Sequence, residues 1–204
     1  MEPFVTVTGP AAPLLRANID TDVIIRVERL VGTARGEMGA HAFEVWRRRA
    51  DGSEDPDFVL NHPTFRGAPI LLAGANFGCG SSREGAVWAL QGMGLRAVIA
   101  PSFSDIFANN ALQNGLLPVV LPEATVAALA AEVEAAPDNA RVTVDLARAV
   151  VISPAGEAYR FEIDPARREA LLAGLDDIGL TLRQQGAIAA WQAEDRAARP
   201  WVWA

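Results

Sequence analysis

Between residues 69 and 122 the chain alternates apolar runs of strand length with stretches of helical period, and this constrains the fold more than any other feature. Pro69-Ile70-Leu71-Leu72-Ala73-Gly74, Arg96–Ala100 and Leu116–Leu121 are too short for buried helices and are bounded by Gly, Pro or Ser. Arg83 to Met93 places Ala86, Val87 and Leu90 on one face, and Phe103 to Gln113 reads as a second helix that Gly115 terminates. Strand–helix alternation predicts an α/β layer. Pro118 should cut the third strand.

The flanks read differently. Residues 1–30 give an apolar, β-leaning start and then the polar turn Asn18-Ile19-Asp20-Thr21-Asp22. Residues 31–68 are rich in Gly, Arg and Asp, and Ala50 to Asp57 has no period, which predicts irregular structure or a mobile segment. Beyond 122 come a helix from Glu123 to Ala136 closed by Pro137, strands at 142–146, 149–153 and 159–163, and helices at 165–172 and 184–196. Asp176 and Asp177 read as cap or turn residues, and Trp201 and Trp203 as an aromatic pair that docks on a partner or packs back on the chain, with packing favoured. No internal repeat or low-complexity region appears.

Composition excludes several functions. The net charge of −7 opposes nucleic acid and anionic membrane as partners. No stretch approaches about 20 consecutive apolar residues, and MEPFVTVTGP lacks the basic-then-apolar pattern of a signal peptide, so the expectation is a cytoplasmic protein. All 18 basic residues are arginine, which removes Schiff-base lysines and lysine-bearing phosphate loops. One cysteine, Cys79, forbids an intrachain disulfide and cannot hold a multi-cysteine cluster; His41 and His62 lie too far apart in sequence for a zinc-type spacing. No metal site is expected.

The segment with most chemical promise is Gly78-Cys79-Gly80-Ser81-Ser82-Arg83-Glu84. It follows a buried strand and opens a helix. Glycine permits a sharp turn and close ligand approach. A helix N-terminus favours an anion, Ser81 or Ser82 can cap it, and Arg83 offers a fork for a carboxylate. A serine alkoxide stabilised there would be a base for a proton beside a carboxylate. The same turn is equally readable as a capped loop with no chemistry. It fits neither the dinucleotide fingerprint nor the hydrolase elbow.

Several segments, in order, carry a resemblance: Asn18 to Ile25; Phe43 with Trp46-Arg47; Asp57 to Asn61; Asn76 to Glu84; Ala97 to Phe103; Asp105-Ile106-Phe107 with Asn109-Asn110; Asn114 to Pro118; and Leu175 to Leu182. Together they resemble the small subunits of 3-isopropylmalate dehydratase and, more distantly, the swivelling domain of aconitase. The resemblance implies an α/β swivelling domain, a mixed sheet or half-barrel with flanking helices, over residues 1–204 with a helical C-terminal extension at about 165–204. It implies a hydro-lyase subunit active only with a large subunit that holds a 4Fe–4S cluster, interconverting 2- and 3-isopropylmalate in leucine synthesis. Ser81 is then the base, with Ser82 and Arg83 binding a carboxylate of a 2-hydroxy dicarboxylate. Asp20, Thr21, Asp22 and Gly80 support the turn, Asn109 and Asn110 are structural, and Cys79 is not a ligand.

Two departures flank this region. Gly85 stands where the family usually has His, and Arg26 where it usually has Pro; the basic residue normally just beyond gives way to Val27 and Glu28, with Arg29 next. They leave open a paralogue acting on citramalate or a dimethylmalate, with Arg26 and Gly85 setting specificity. A non-catalytic assembly module and a free-standing enzyme using Cys79 are the other readings.

Overall fold

Strand β1 (Thr6–Leu14) lies where a sheet changes character. The computed structural model describes residues 1–81, 83–135 and 141–203. On one side of β1 run β2 (Ile70–Ala73), β3 (Ala97–Ala100) and β4 (Leu117–Val120), all parallel; on the other run β5 (Arg141–Asp145), β6 (Val150–Ile152) and β7 (Ala158–Arg160), all antiparallel. The order is β4-β3-β2-β1-β5-β6-β7, a mixed seven-stranded sheet curled into a half-barrel with flanking helices.

The sequence explains the two halves. Every residue of β2 and β3 is buried, as parallel strands covered on both faces require. Strand β5 buries only Val142 and Val144, the alternation of a strand with one wet face. Pro118 does not cut β4: it pairs with Val98 inside the strand, because β4 lies at the sheet edge, where a missing N–H is tolerated.

The helices in chain order are α1 (Thr21–Ile24), α2 (Val27–Leu30), α3 (Glu44–Arg47), α4 (Glu84–Gly92), α5 (Asp105–Asn114), α6 (Glu123–Ala135), α7 (Pro165–Ala173), α8 (Asp177–Leu182) and α9 (Gln185–Ala198). Gly115 ends α5 in the left-handed conformation, as predicted. Pro137, read as the stop of α6, lies outside the described residues. Asp176 caps the short α8 by accepting from Gly179 N at 2.7 Å.

Residues 31–68 are irregular in period but firmly fixed. The segment holds α3 and two 3₁₀ turns, Arg35–His41 and Val59–Asn61. The buried Asn61 amide donates to the carbonyls of Arg47 and Asp55, both at 2.8 Å, and accepts from Arg47 Nε at 3.2 Å. These polar contacts link the Ala50–Asp57 loop, through Asp55, to Arg47 and Asn61 on either side of it.

The Arg35–His41 turn packs on α4 at van der Waals contact of backbones. A Cβ on Gly39 would meet the Gly92 carbonyl carbon at 2.2 Å, and one on Gly92 would meet Gly39 N at 2.7 Å. Gly39→Ala should therefore lower unfolding free energy by about 1–3 kcal/mol in urea titrations. Gly36→Ala in the same turn, with nothing within 4 Å, should cost nothing; equal effects at the two positions would refute this packing account.

Candidate active site

The serine turn extends the parallel ladder past the strand ends. After β1 and β2 stop, Asn18 N donates to Ala75 O at 2.8 Å, Gly78 N to Ile19 O at 2.8 Å and Thr21 N to Cys79 O at 2.9 Å, and Asp20 bridges Cys79 in parallel. On the other side Phe77 bridges Phe103, continuing β2 against β3. The loops after three parallel strands thus meet at the carboxyl end of the sheet, where open α/β sheets bind ligands.

Each polar residue of the Asp20-Thr21-Asp22 turn has a separate partner. Asp20 caps α1, accepting from Val23 N at 2.7 Å. Thr21, almost wholly buried, donates its hydroxyl to the Ser81 carbonyl at 2.8 Å. Asp22 pairs with the Arg83 guanidinium. Arg83 is largely covered while Asp22 is about half exposed, so the ion pair restrains the arginine from the solvent side.

Underneath, Phe77, Phe103 and Phe107 form an aromatic base, with Phe77 and Phe107 edge to face at 5.2 Å. Gly78 must be glycine: its φ is +74° and a Cβ would lie 2.2 Å from the Phe107 ring. Gly80, with φ +88°, turns the chain beside Asp20 and Thr21. Gly80 and Ser81 are exposed, so the turn presents its serine outward on a supported base.

Arg83, not a serine, holds the cap position of α4 and its side chain makes no cap bond, while the Ser81 carbonyl accepts from the Thr21 hydroxyl. Ser82 lies outside the described residues.

The flanking positions are arranged as follows. Arg26 is exposed and donates to Glu28 at 3.2 Å, two residues on. The Glu28 carboxyl is held low by its backbone hydrogen bond and by Arg26, while burial and the like charge of Asp22 oppose this, so two ion pairs, Arg26–Glu28 and Arg83–Asp22, meet at the rim through their carboxylates. Gly85 is buried, and a Cβ there would meet Leu30 Cδ2 at 2.3 Å: the α2 leucine fills the space of a larger side chain. Neither histidine joins the turn: His41 faces Glu44 at 3.5 Å, and His62 Nδ1 accepts from Thr64 N at 3.4 Å. The Cys79 enzyme reading therefore finds no histidine base.

Sequence reasoning missed Asn114 and Asn76. The Asn114 side chain donates to Glu84 at 2.8 Å and accepts from Trp88 and Arg35, both at 3.0 Å, tying α4, α5 and the 35–41 turn together. Asn76 and Asn18, both left-handed, bond side chain to side chain at 2.8 Å. The only signals in sequence were asparagine before Gly115 and asparagine's tolerance of positive φ. Asn109 is exposed and the Asn110 carbonyl accepts from Asn114 at 2.9 Å.

Glu44 holds α2 in place: Arg29 donates to it twice, at 2.8 and 2.6 Å. The Arg29 hydrogen bonds, opposed by burial, hold the Glu44 carboxyl below its ordinary value of 4.5. A group depressed on folding stabilises above its unfolded value and loses that contribution as pH falls through the folded one. Glu44→Gln should accordingly lower the urea midpoint at pH 7 and lower it less as the pH drops below 4.5; a deficit that is constant with pH would contradict this.

Among the described residues, no group of three His, Cys, Asp or Glu side chains that could hold a metal comes together, and no helix is long and apolar enough to cross a membrane. Three family models match in series: the aconitase C-terminal domain over residues 1–124, LeuD_N over 127–165, and the C-terminal domain of the 3-isopropylmalate dehydratase small subunit over 177–202. The chain is 54% identical over 204 residues to a 3-isopropylmalate dehydratase small subunit of Cupriavidus necator, covering 99% of this chain and 98% of that one. It is 52% identical over 202 residues to the one from Paramagnetospirillum magneticum, covering 99% and 100%. A crystal structure of 3-isopropylmalate dehydratase from Methanocaldococcus jannaschii superposes with a TM-score of 0.64 at 27% identity, covering 92% of this chain and 99% of that one. A turn built on extended parallel strands, within a fold and sequence matched along nearly their whole length, makes this chain a member of the 3-isopropylmalate dehydratase small-subunit family.

Proposed function

We propose that the chain is the small subunit of a 3-isopropylmalate dehydratase, a cytoplasmic hydro-lyase of leucine synthesis that works only with its large subunit. The observation that carries this reading is half of a site: an exposed Ser81 on a turn fixed from behind by Thr21, beside an Arg83 held by Asp22. An exposed catalytic turn needs a second surface to exclude water, and the large subunit supplies it. The chain acts as one swivelling domain over 1–204, with its C-terminal helices as an extension.

In this reading the Ser81 hydroxyl oxygen, as alkoxide, takes the proton from the substrate carbon. The hydroxyl on the neighbouring carbon leaves as water with a proton from an acid on the large-subunit side; on rehydration water adds its hydroxyl to the carbon that lost the proton and returns a proton to that acid, while Ser81 gives its proton to the other carbon and is again the alkoxide. Arg83 binds a substrate carboxylate through its fork, with Ser82 beside it. The positive end of α4 favours both the carboxylate and the alkoxide. Asp20, Thr21, Asp22 and Gly80 position these groups. A 4Fe–4S cluster does not fit this chain, with its single cysteine and no gathered ligand set among the described residues; it is assigned to the large subunit, and no step on this chain runs through it.

Anaerobic reconstitution with the large subunit, followed by alkene absorbance, tests the reading. Activity should require both chains. Ser81→Ala should cost about 10²-fold or more in kcat while the complex still forms. Arg83→Lys should raise KM for the dicarboxylate about tenfold or more. Full activity without Ser81 would leave only the assembly-module reading.

Leu30 against Gly85 favours a second reading, a paralogue for another 2-hydroxy dicarboxylate such as citramalate or 2,3-dimethylmalate. Histidine at 85 requires Leu30 to move, so the informative variant is Gly85→His with Leu30→Ala. If the pair sets specificity, this double variant should raise the kcat/KM ratio of 3-isopropylmalate over citramalate relative to the unaltered chain. A ratio that stays put would sink the specificity role of Gly85.

A further inference from the structure

The C-terminal helices are built unlike the rest of the molecule. Helices α8 and α9 bury none of their residues. Ile178 is 71% exposed and Trp201 73%, and Leu182, Trp191 and Val202 are also exposed. Trp203 packs on α9, donating to Asp195 at 2.8 Å with Arg196 above its ring at 4.8 Å. In water, such a concentration of large apolar side chains loses the favourable transfer that burial gives, and surfaces of this kind mark interaction sites.

Three observations identify what covers it. The first is charge. The chain carries −7 overall, yet residues 177–203 balance Asp177, Glu194 and Asp195 against Arg183, Arg196 and Arg199. Arg183 pairs with Glu169 at 3.0 Å and Arg199 with Asp195 at 2.7 Å, so two of the three arginines are already met by carboxylates within the chain. A neutral apolar surface rich in tryptophan has the make-up of a stable interface core.

The second is the distribution of family matches. The aconitase C-terminal domain model accounts for residues 1–124, whereas 177–202 match a model specific to dehydratase small subunits. A domain joined to its partner by a linker is kept at high effective concentration; a separate subunit must replace that with contact surface. The third is continuity with the candidate site. Asp177 at the start of α8 accepts from Gln113 at 3.1 Å and Arg167 at 3.3 Å. An apolar groove of about 380 Å³ runs from Phe103, under the serine turn, past Leu112 and Ile163 to Arg167.

We propose that α8, α9 and the tail through Trp203 are the docking surface for the large subunit, with Trp191 and Trp201 as its anchors. This rests on the small-subunit reading above. The surface holds the subunit by its C-terminal end, joined toward the Ser81 turn through Asp177, Arg167 and the groove that ends at Phe103.

The test uses the full-length chain carrying Ile178→Ser, Trp191→Ser and Trp201→Ser together, with cluster-loaded large subunit, under anaerobic conditions. Affinity is read by calorimetry and by titrating activity with small subunit. Because these side chains are exposed, circular dichroism and the urea midpoint should be unchanged; if the triple variant fails to fold, Trp201→Ser alone carries the comparison. The Kd should rise at least about tenfold, with kcat at saturation unchanged, while Ser81→Ala keeps full affinity and loses turnover. An affinity within about twofold of the unaltered chain overturns the proposal. So does a variant that abolishes self-association of the isolated chain and leaves large-subunit binding intact, which would assign the surface to a second copy. Failure of the unaltered chain itself to bind the large subunit overturns the small-subunit reading, and with it this one.

Discussion

The hydroxyl of Thr21 joined to the carbonyl of Ser81 is the contact on which the candidate site depends. It is the last rung of a ladder that begins as β1 pairing with β2 and continues through Asn18–Ala75, Ile19–Gly78 and Thr21–Cys79 after both strands have ended. Parallel strands leave their carboxyl-end loops side by side, and here those loops keep bonding instead of diverging. The position of the serine is thereby set by the sheet, not by the loop's own preferences. A loop so fixed loses little further conformational entropy when a ligand arrives.

That dependence explains which parts were legible in the sequence. Strands β2 and β3 could be read within a residue or so because both faces are buried, which forces a continuous apolar run. Helices α5 and α7 could be read because Gly115 and Gly174 end them and Asp164 with Pro165 opens the latter. Elements held by distant polar partners could not. Helix α3 and the two 3₁₀ turns between 31 and 68 have no apolar period; Asn61, Arg47 and the Gly39–Gly92 contact hold them from elsewhere. Helix α8 showed in the sequence only through its Asp176 cap, because it is short, buries nothing, and contains Gly179.

The site divides the same way. The glycine–serine turn and its Arg83 were visible as residue types, and so was the polar Asp20–Asp22 turn. That the second turn orients the serine loop or an arginine came only from the resemblance, and which residue meets which did not show, because Asp22 and Arg83 are brought together only by the ladder. The Thr21 hydroxyl on the Ser81 carbonyl has the same origin, a long-range bond that local chemistry does not announce. Leu30 over Gly85 belongs to this class too, since nothing local to either residue announces the contact.

The molecule spends its apolar residues in two ways. In the sheet layer they are buried almost completely, and a parallel half whose β2 and β3 are buried on both faces is rigid enough to hold an exposed turn in one geometry. In the C-terminal helices large apolar side chains are left outside, while Arg183 and Arg199 are met by Glu169 and Asp195. A catalytic turn that must face a partner gains from rigidity only if the whole domain is also oriented, because a precise serine on a tumbling subunit meets its substrate rarely. Rigid sheet and exposed helices therefore answer two halves of one requirement: the first fixes Ser81 within the subunit, and the second fixes the subunit against whatever completes the site.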